Sequence, residues 1–365
     1  MMPGPKEGDP GGRFAMRRWL AVVVTVTVAL GVSGVGASAA PQPWNAEIVD
    51  PDGLDAPEGG YMGNAPVIVY AANTASGSEI RFAYRSDAWH TELIDDNAIF
   101  WIGASTQLAV DALGTPWAFY TRQGFDDAVL RYRGGRDLWV QALAIPDADP
   151  MDMAIDANGD IALVYVASDG SLTYGVWNGS TLSETTVAPA AEYASLGTES
   201  APAIAFVDGD FHLAYAELVG SQWTVTPVGE PDHAGSPSLA FDNSAHPIIA
   251  YQAPGDGFRH DFRIATRGGS GTWQRRIVEG GMTGLNPSMI TTSRGVFAAF
   301  EQTSGTASNL QLWKWTPSGS GKGTIFTDVC TPCEGTSLVN DPRGAPHVAF
   351  VDNDMGLEWG SPPSP

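Results

Sequence analysis

Two short turns, "VDGDF" (207–211) and "VDNDMG" (351–356), each place carboxylates two residues apart. Asp208 with Asp210, and Asp352 with Asp354, offer hard oxygen ligands suited to Ca²⁺, without the full ligand series of an EF-hand loop. His233 and His260 sit in polar stretches and are the two of six histidines placed for acid–base work near neutral pH. In "DDNAIFWIG" (95–103), Phe100 and Trp101 interrupt a polar segment. Such a pair can stack on a sugar, meet a protein surface, or fold back over a neighbouring element. "CTPC" (330–333) is the whole cysteine inventory. In an exported chain it reads most simply as a Cys330–Cys333 disulfide, since a zinc site would need two further ligands nearby.

Whether these groups meet depends on the elements that carry them. Residues 1–40 stand outside the fold: Arg17 and Arg18 precede the apolar run "WLAVVVTVTVALGV" (19–32), and small residues follow up to Ala39. This is a secretory signal peptide with cleavage near Ala39, its apolar run too short for a membrane span. Residues 41–365 form one domain ending in the Pro/Ser tail "SPPSP". The formal net charge of −22 repels phosphate backbones and anionic lipid heads, which argues against nucleic-acid and membrane roles. Forty-three Gly, 26 Pro and 12 Trp, with no helix-length run of 3.6 periodicity, read as an all-β chain of many turns and aromatic strands.

One strand recurs seven times, as in "APVIVYA" (65–71), "DIALVYV" (160–166), "HPIIAYQ" (246–252) and "APHVAFV" (345–351). Its aromatics Tyr70, Tyr120, Tyr165, Phe206, Tyr251, Phe300 and Phe350 lie 41 to 50 residues apart. Near-regular spacing without helices predicts a seven-bladed β-propeller of four-stranded units. Inner strands such as "QLAVD" (107–111), "DMAID" (152–156) and "SLAFD" (238–242) read as buried on both faces. Fourth strands open on Trp and end apolar five residues later, as from Trp89 to Ile94 and from Trp273 to Val278. The seventh unit lacks its fourth strand. "PWNAEIVD" (43–50), with Trp44 and Val49 at that same separation, supplies it and closes the ring.

The fourth-strand openings "GGSGTW" (268–273) and "VGSQW" (219–223) sit where sialidase-type repeat proteins carry their Asp-box turn. The whole repeat resembles secreted bacterial β-propellers of that broad type, though the Asp of the box is absent and no F/Y-R-I-P motif is present. The resemblance implies the fold rather than sialidase activity. It also implies a ligand face built by the loops from fourth to first strands and from second to third strands. Those loops carry Asp95, Asp147, Asp149, Asp208, Asp210, Asp352 and other acids, with Arg259 nearly their sole positive charge. Asp111, Asp156, Asp242 and Asp341 recur at one inner-turn position, where an Asp bonds the backbone two residues on.

The expected function is therefore that of an exported, monomeric binding or scaffold module. It recognises a carbohydrate or surface protein on the acidic loop face through Phe100, Trp101, His233, Arg259 and His260, with calcium as a candidate cofactor. The alternative is a polysaccharide hydrolase or lyase using two suitably spaced carboxylates.

Overall fold

The computed structural model describes residues 44–363 except 75–76, 97–105, 123–126, 199–200, 230–232, 256–259, 270, 282, 305–306, 328, 330–334 and 353–354. Among the described residues, all regular structure is β, in seven antiparallel four-stranded sheets. Blades 1 to 6 span 53–95, 106–145, 149–188, 193–227, 235–279 and 283–326. Blade 7 combines 336–361 with the N-terminal strand Asn45–Asp50. That strand pairs antiparallel with Gly356–Ser361, in a register running from Asn45 opposite Ser361 to Asp50 opposite Leu357. Each inner strand packs beside the next, and that of blade 7 returns to blade 1, so the ring is closed.

The seven repeated aromatics on the second strands are all buried to within 1%. They fill seven apolar clusters, each shared between two neighbouring blades. The ring thus has no single core. It is a cycle of interfaces, and every blade depends on both neighbours. The fourth-strand tryptophans seal these interfaces from outside. Trp89 meets Trp359 of blade 7 edge-on at 5.9 Å, Trp139 meets Phe82 at 5.3 Å, and Trp223 meets Tyr174 at 5.2 Å. Trp273 meets Tyr215 at 5.4 Å, the edge-to-face geometry that aromatic quadrupoles favour.

The recurring aspartates are turn-formers. Asp111 Oδ1 accepts the N–H groups of Leu113 and Thr115, and Asp242 Oδ1 those of Ser244 and His246. Asp156 and Asp341 do the same in blades 3 and 7.

A second recurring device clasps one blade to the next. The Tyr70 hydroxyl donates to Asp50 at 2.5 Å, and Arg81 Nη1 pairs with the same carboxylate at 2.8 Å. One blade on, Tyr120 donates to Asp95 at 2.8 Å and Arg131 pairs with it at 3.0 Å. Replacing Tyr120 by Phe leaves a buried carboxylate short of one donor. We expect a loss of roughly 1–2 kcal/mol and a Tm lower by a few degrees in thermal denaturation. An unchanged melt would show that the clasp contributes nothing.

Candidate functional site

Inner strands such as Thr106–Val110 and Thr336–Asn340 are largely buried, as their small and apolar residues imply, yet each carries a polar side chain. Aligning the blades shows a ring of polar residues at one matching position, namely Glu58, Gln107, Asp152, Ser195, Ser238, Ser288 and Ser337. At Asp152, Ser195, Ser238, Ser288 and Ser337 the side chain accepts the N–H one residue beyond its counterpart in the next blade. Ser337 accepts from Gly59 at 3.0 Å, Ser195 from Leu239 at 3.1 Å, and Ser238 from Met289 at 3.0 Å. Ser288 accepts from Leu338 at 2.9 Å, and Asp152 from Leu196 at 2.6 Å. Four hydroxyls therefore stitch blades together, while blades 1 and 3 place carboxyl groups, and blade 2 an amide, where blades 4 to 7 place serine.

Those two carboxyls pay for their position. Burial, and then the charge of Asp152, pushes Glu58 up to about 8, although the Ser337 hydroxyl opposes the shift. Burial lifts Asp152 to about 6 against donors from Leu196, Met153 and Ser195. At neutral pH Glu58 is largely protonated and Asp152 largely ionised.

The ring residues, Ser337 excepted, line a cavity of about 1320 Å³, the funnel. Its wall joins the starts of the inner strands to connections such as 147–149, 166–170 and 192–193, on the side bearing the acidic loops. Among the described lining residues, Glu58, Asp147, Asp149, Asp152 and Glu192 are acidic and none is Lys, Arg or His. Such a low-dielectric pit of one sign concentrates cations and hydrogen-bond donors and repels anions.

The residues singled out in the sequence are distributed as follows. Phe100, Trp101, Arg259, Asp354, Cys330 and Cys333 lie outside the described residues. His233 sits in the connection from blade 4 to blade 5, its ring 6.2 Å from that of Phe211. His260 opens the third strand of blade 5 and is not among the described residues that line the funnel. Asp208 and Asp210 belong to blade 4 and Asp352 to blade 7, so they form no common site. Asp208 and Asp210 do approach His212, with ligand atoms of all three within 4.8 Å of one another. Asp208 Oδ1 already accepts the N–H groups of Asp210 and His212, and three protein ligands fall short of the six to eight oxygens that Ca²⁺ takes. Asp352 instead faces Glu358, which burial first and the Asp352 charge second raise to about 7.

Asp95, expected on the loop face, is 7% exposed and committed to the Tyr120 clasp, because its carboxylate ends a fourth strand at a blade interface. Sequence reasoning missed Glu58 and Asp152. The available signal was a polar residue standing at one inner-strand position in blade after blade, as in "QLAVD", "DMAID" and "SLAFD".

No protein-family description matches this sequence, and no curated protein matches it. Solved structures do share its fold. YCF48 bound to a D1 peptide aligns with TM-score 0.57 at 11% identity, covering 88% of this chain and 96% of that one. AofleA from Arthrobotrys oligospora aligns with TM-score 0.52 at 12% identity, covering 80% and 92%. A leech intramolecular trans-sialidase reaches TM-score 0.45 at 11% identity, covering 88% and 68%. At these identities the likenesses to YCF48 and AofleA are ones of fold alone, leaving function to the site.

Proposed function

We propose that the chain is an exported, monomeric binding module that takes a neutral carbohydrate or a surface protein on its acidic loop face. The observation that carries this reading is the funnel, about 1320 Å³ in volume, with acidic and no basic side chains among its described lining residues. Sugar hydroxyls, or the basic side chains of a protein segment, find acceptors there in Asp147, Asp149, Asp152 and Glu192. Anionic sugars meet repulsion, which separates this site from one built to hold a substrate carboxylate. The YCF48 complex supports the reading only as an example of a propeller of similar fold solved with a peptide bound.

The test is a glycan-array screen of the purified protein with and without calcium, followed by product analysis on each hit. Binding without turnover is expected. A calcium requirement would bring in the acidic groups at Asp208 and Asp210, whereas silence on every glycan would transfer the reading to protein partners.

A second reading, a polysaccharide hydrolase or lyase, draws on one observation. Glu58 and Asp152 line the same funnel, and burial first raises both, to about 8 and about 6, which suits one as a general acid and the other as a carboxylate base. Product release from any array hit would favour it over binding alone.

A further inference from the structure

Six turns among the described residues share one construction. In each, the first residue's N–H bonds the carbonyl four residues on, and the fourth residue's N–H bonds back to the first carbonyl. The fourth residue must take a left-handed conformation, which glycine adopts freely and a residue with a Cβ adopts under strain. Gly114, Gly159, Gly170 and Gly344 fill it at φ 76 to 86°, and Ala245 fills it at 60°. Blade 4 places Phe211 there, at φ 63°.

A bulky residue is a costly choice for the position, and burial does not explain it, since Phe211 is 42% exposed. The neighbouring His233 is also left-handed, at φ 46°, and its imidazole lies 6.2 Å from the Phe211 ring at an interplanar angle of 30°. Ala234 N–H bonds the Phe211 carbonyl at 2.9 Å, fixing the two segments together. Tyr193 pairs with Val207, next to the start of the same turn; it lines the funnel and is 45% exposed. The fold thus holds an exposed aromatic group under backbone strain, on the turn that follows the strand paired with funnel-lining Tyr193.

We propose that Phe211, with His233 and Tyr193, is a stacking platform for a pyranose ring at the funnel rim on blade 4, an inference that rests on the carbohydrate branch of the function proposed above. The apolar C–H face of a neutral hexose packs on aromatic rings, and its equatorial hydroxyls donate to carboxylates. The platform supplies the first need, and the adjoining Asp210 and Glu192 supply the second. A charged sugar acid would meet the same carboxylates as like charges.

The experiment titrates wild-type protein and three variants with soluble oligosaccharides of glucose, galactose, mannose and N-acetylglucosamine, recording thermal denaturation for each protein. Phe211→Gly removes the ring and installs the residue its sibling turns use, so the Tm should stay level or rise while affinity falls at least tenfold. Tyr193→Ala should also fall several-fold. Leu113→Ala, at a 92% exposed residue of a turn joining an inner strand to its second strand, should bind as wild type. If wild type binds and Phe211→Gly binds within twofold of it, the platform is wrong and the module reading survives. If wild type binds none of these sugars, the carbohydrate reading itself fails and takes the platform with it.

Discussion

A chain lacking residues 44–50 fails to melt as one cooperative unit. That strand supplies the whole outer edge of blade 7, and its loss leaves Gly356–Ser361 as an unpaired edge. It also removes Val49, buried to 8%, from the cluster shared by blades 7 and 1, and Trp44 from its edge-on contact with Phe326 at 6.2 Å. Asp50 goes with it, leaving Tyr70 and Arg81 without their buried acceptor. Stripping one partner from a buried ion pair costs about 3–5 kcal/mol, and the two apolar side chains add about 2–5 kcal/mol more. Against a total stability of roughly 5–15 kcal/mol, the sum consumes most or all of the fold's margin. Calorimetry or circular-dichroism melting of the truncated protein checks this. A transition as sharp and as high as that of the intact chain would mean that the ring does not depend on its N-terminal closure.

Glu58→Gln should remove most of a loss of stability that the intact protein suffers between pH 5 and pH 8. The folded pKa of Glu58 is raised to about 8, whereas an unfolded Glu titrates near 4.3. Between those values the folded state binds more protons than the unfolded state, so stability falls as pH rises. Asp152, raised to about 6, adds a loss of the same sign between about 4 and 6. Asp50 works in the opposite direction and lower down. Burial alone would raise it, but the Tyr70 hydroxyl, the Asp52 N–H and Arg81 together hold it below the usual range. Its contribution is present above the unfolded value near 3.9 and is lost as pH falls through the folded pKa. The glutamine keeps the size and the hydrogen bond with Ser337 without the ionisation. We expect the variant to gain on the order of 1–3 kcal/mol over wild type at pH 8.5, with the two converging at pH 5. Chemical denaturation at both pH values measures the difference. An equal gap at both would show that Glu58 ionises freely in the folded ring.

The architecture was legible because a propeller writes itself into the sequence seven times. Tyr70 and its six counterparts occupy one structural position, so their spacing reports the blade count. Trp44 and Val49 match the fourth-strand pattern closely enough to place the closing strand. The turn role of Asp111, Asp156, Asp242 and Asp341 was equally local, since each carboxylate bonds N–H groups two and four residues away.

The site was less legible because it is assembled across the ring. Ser337 and Gly59 meet although they stand 278 residues apart, and Glu58 sits on the most divergent inner strand. The strained state of Phe211 is invisible in "VDGDF" until that turn is superposed on its glycine-bearing siblings. Asp95 misled for the opposite reason. Its polar neighbours suggest solvent, yet its own carboxylate faces a tyrosine from the next blade.

The most direct test of the ligand face is hydrogen–deuterium exchange of the protein with and without its strongest array hit. The account predicts slowed exchange at the funnel wall, in residues 147–152, 192–196 and 236–239, with the turns at Asp111, Asp156, Asp242 and Asp341 unchanged. Protection confined to those turns, at the other ends of the inner strands, would place the ligand on the wrong side of the ring and contradict the acidic funnel as the binding site.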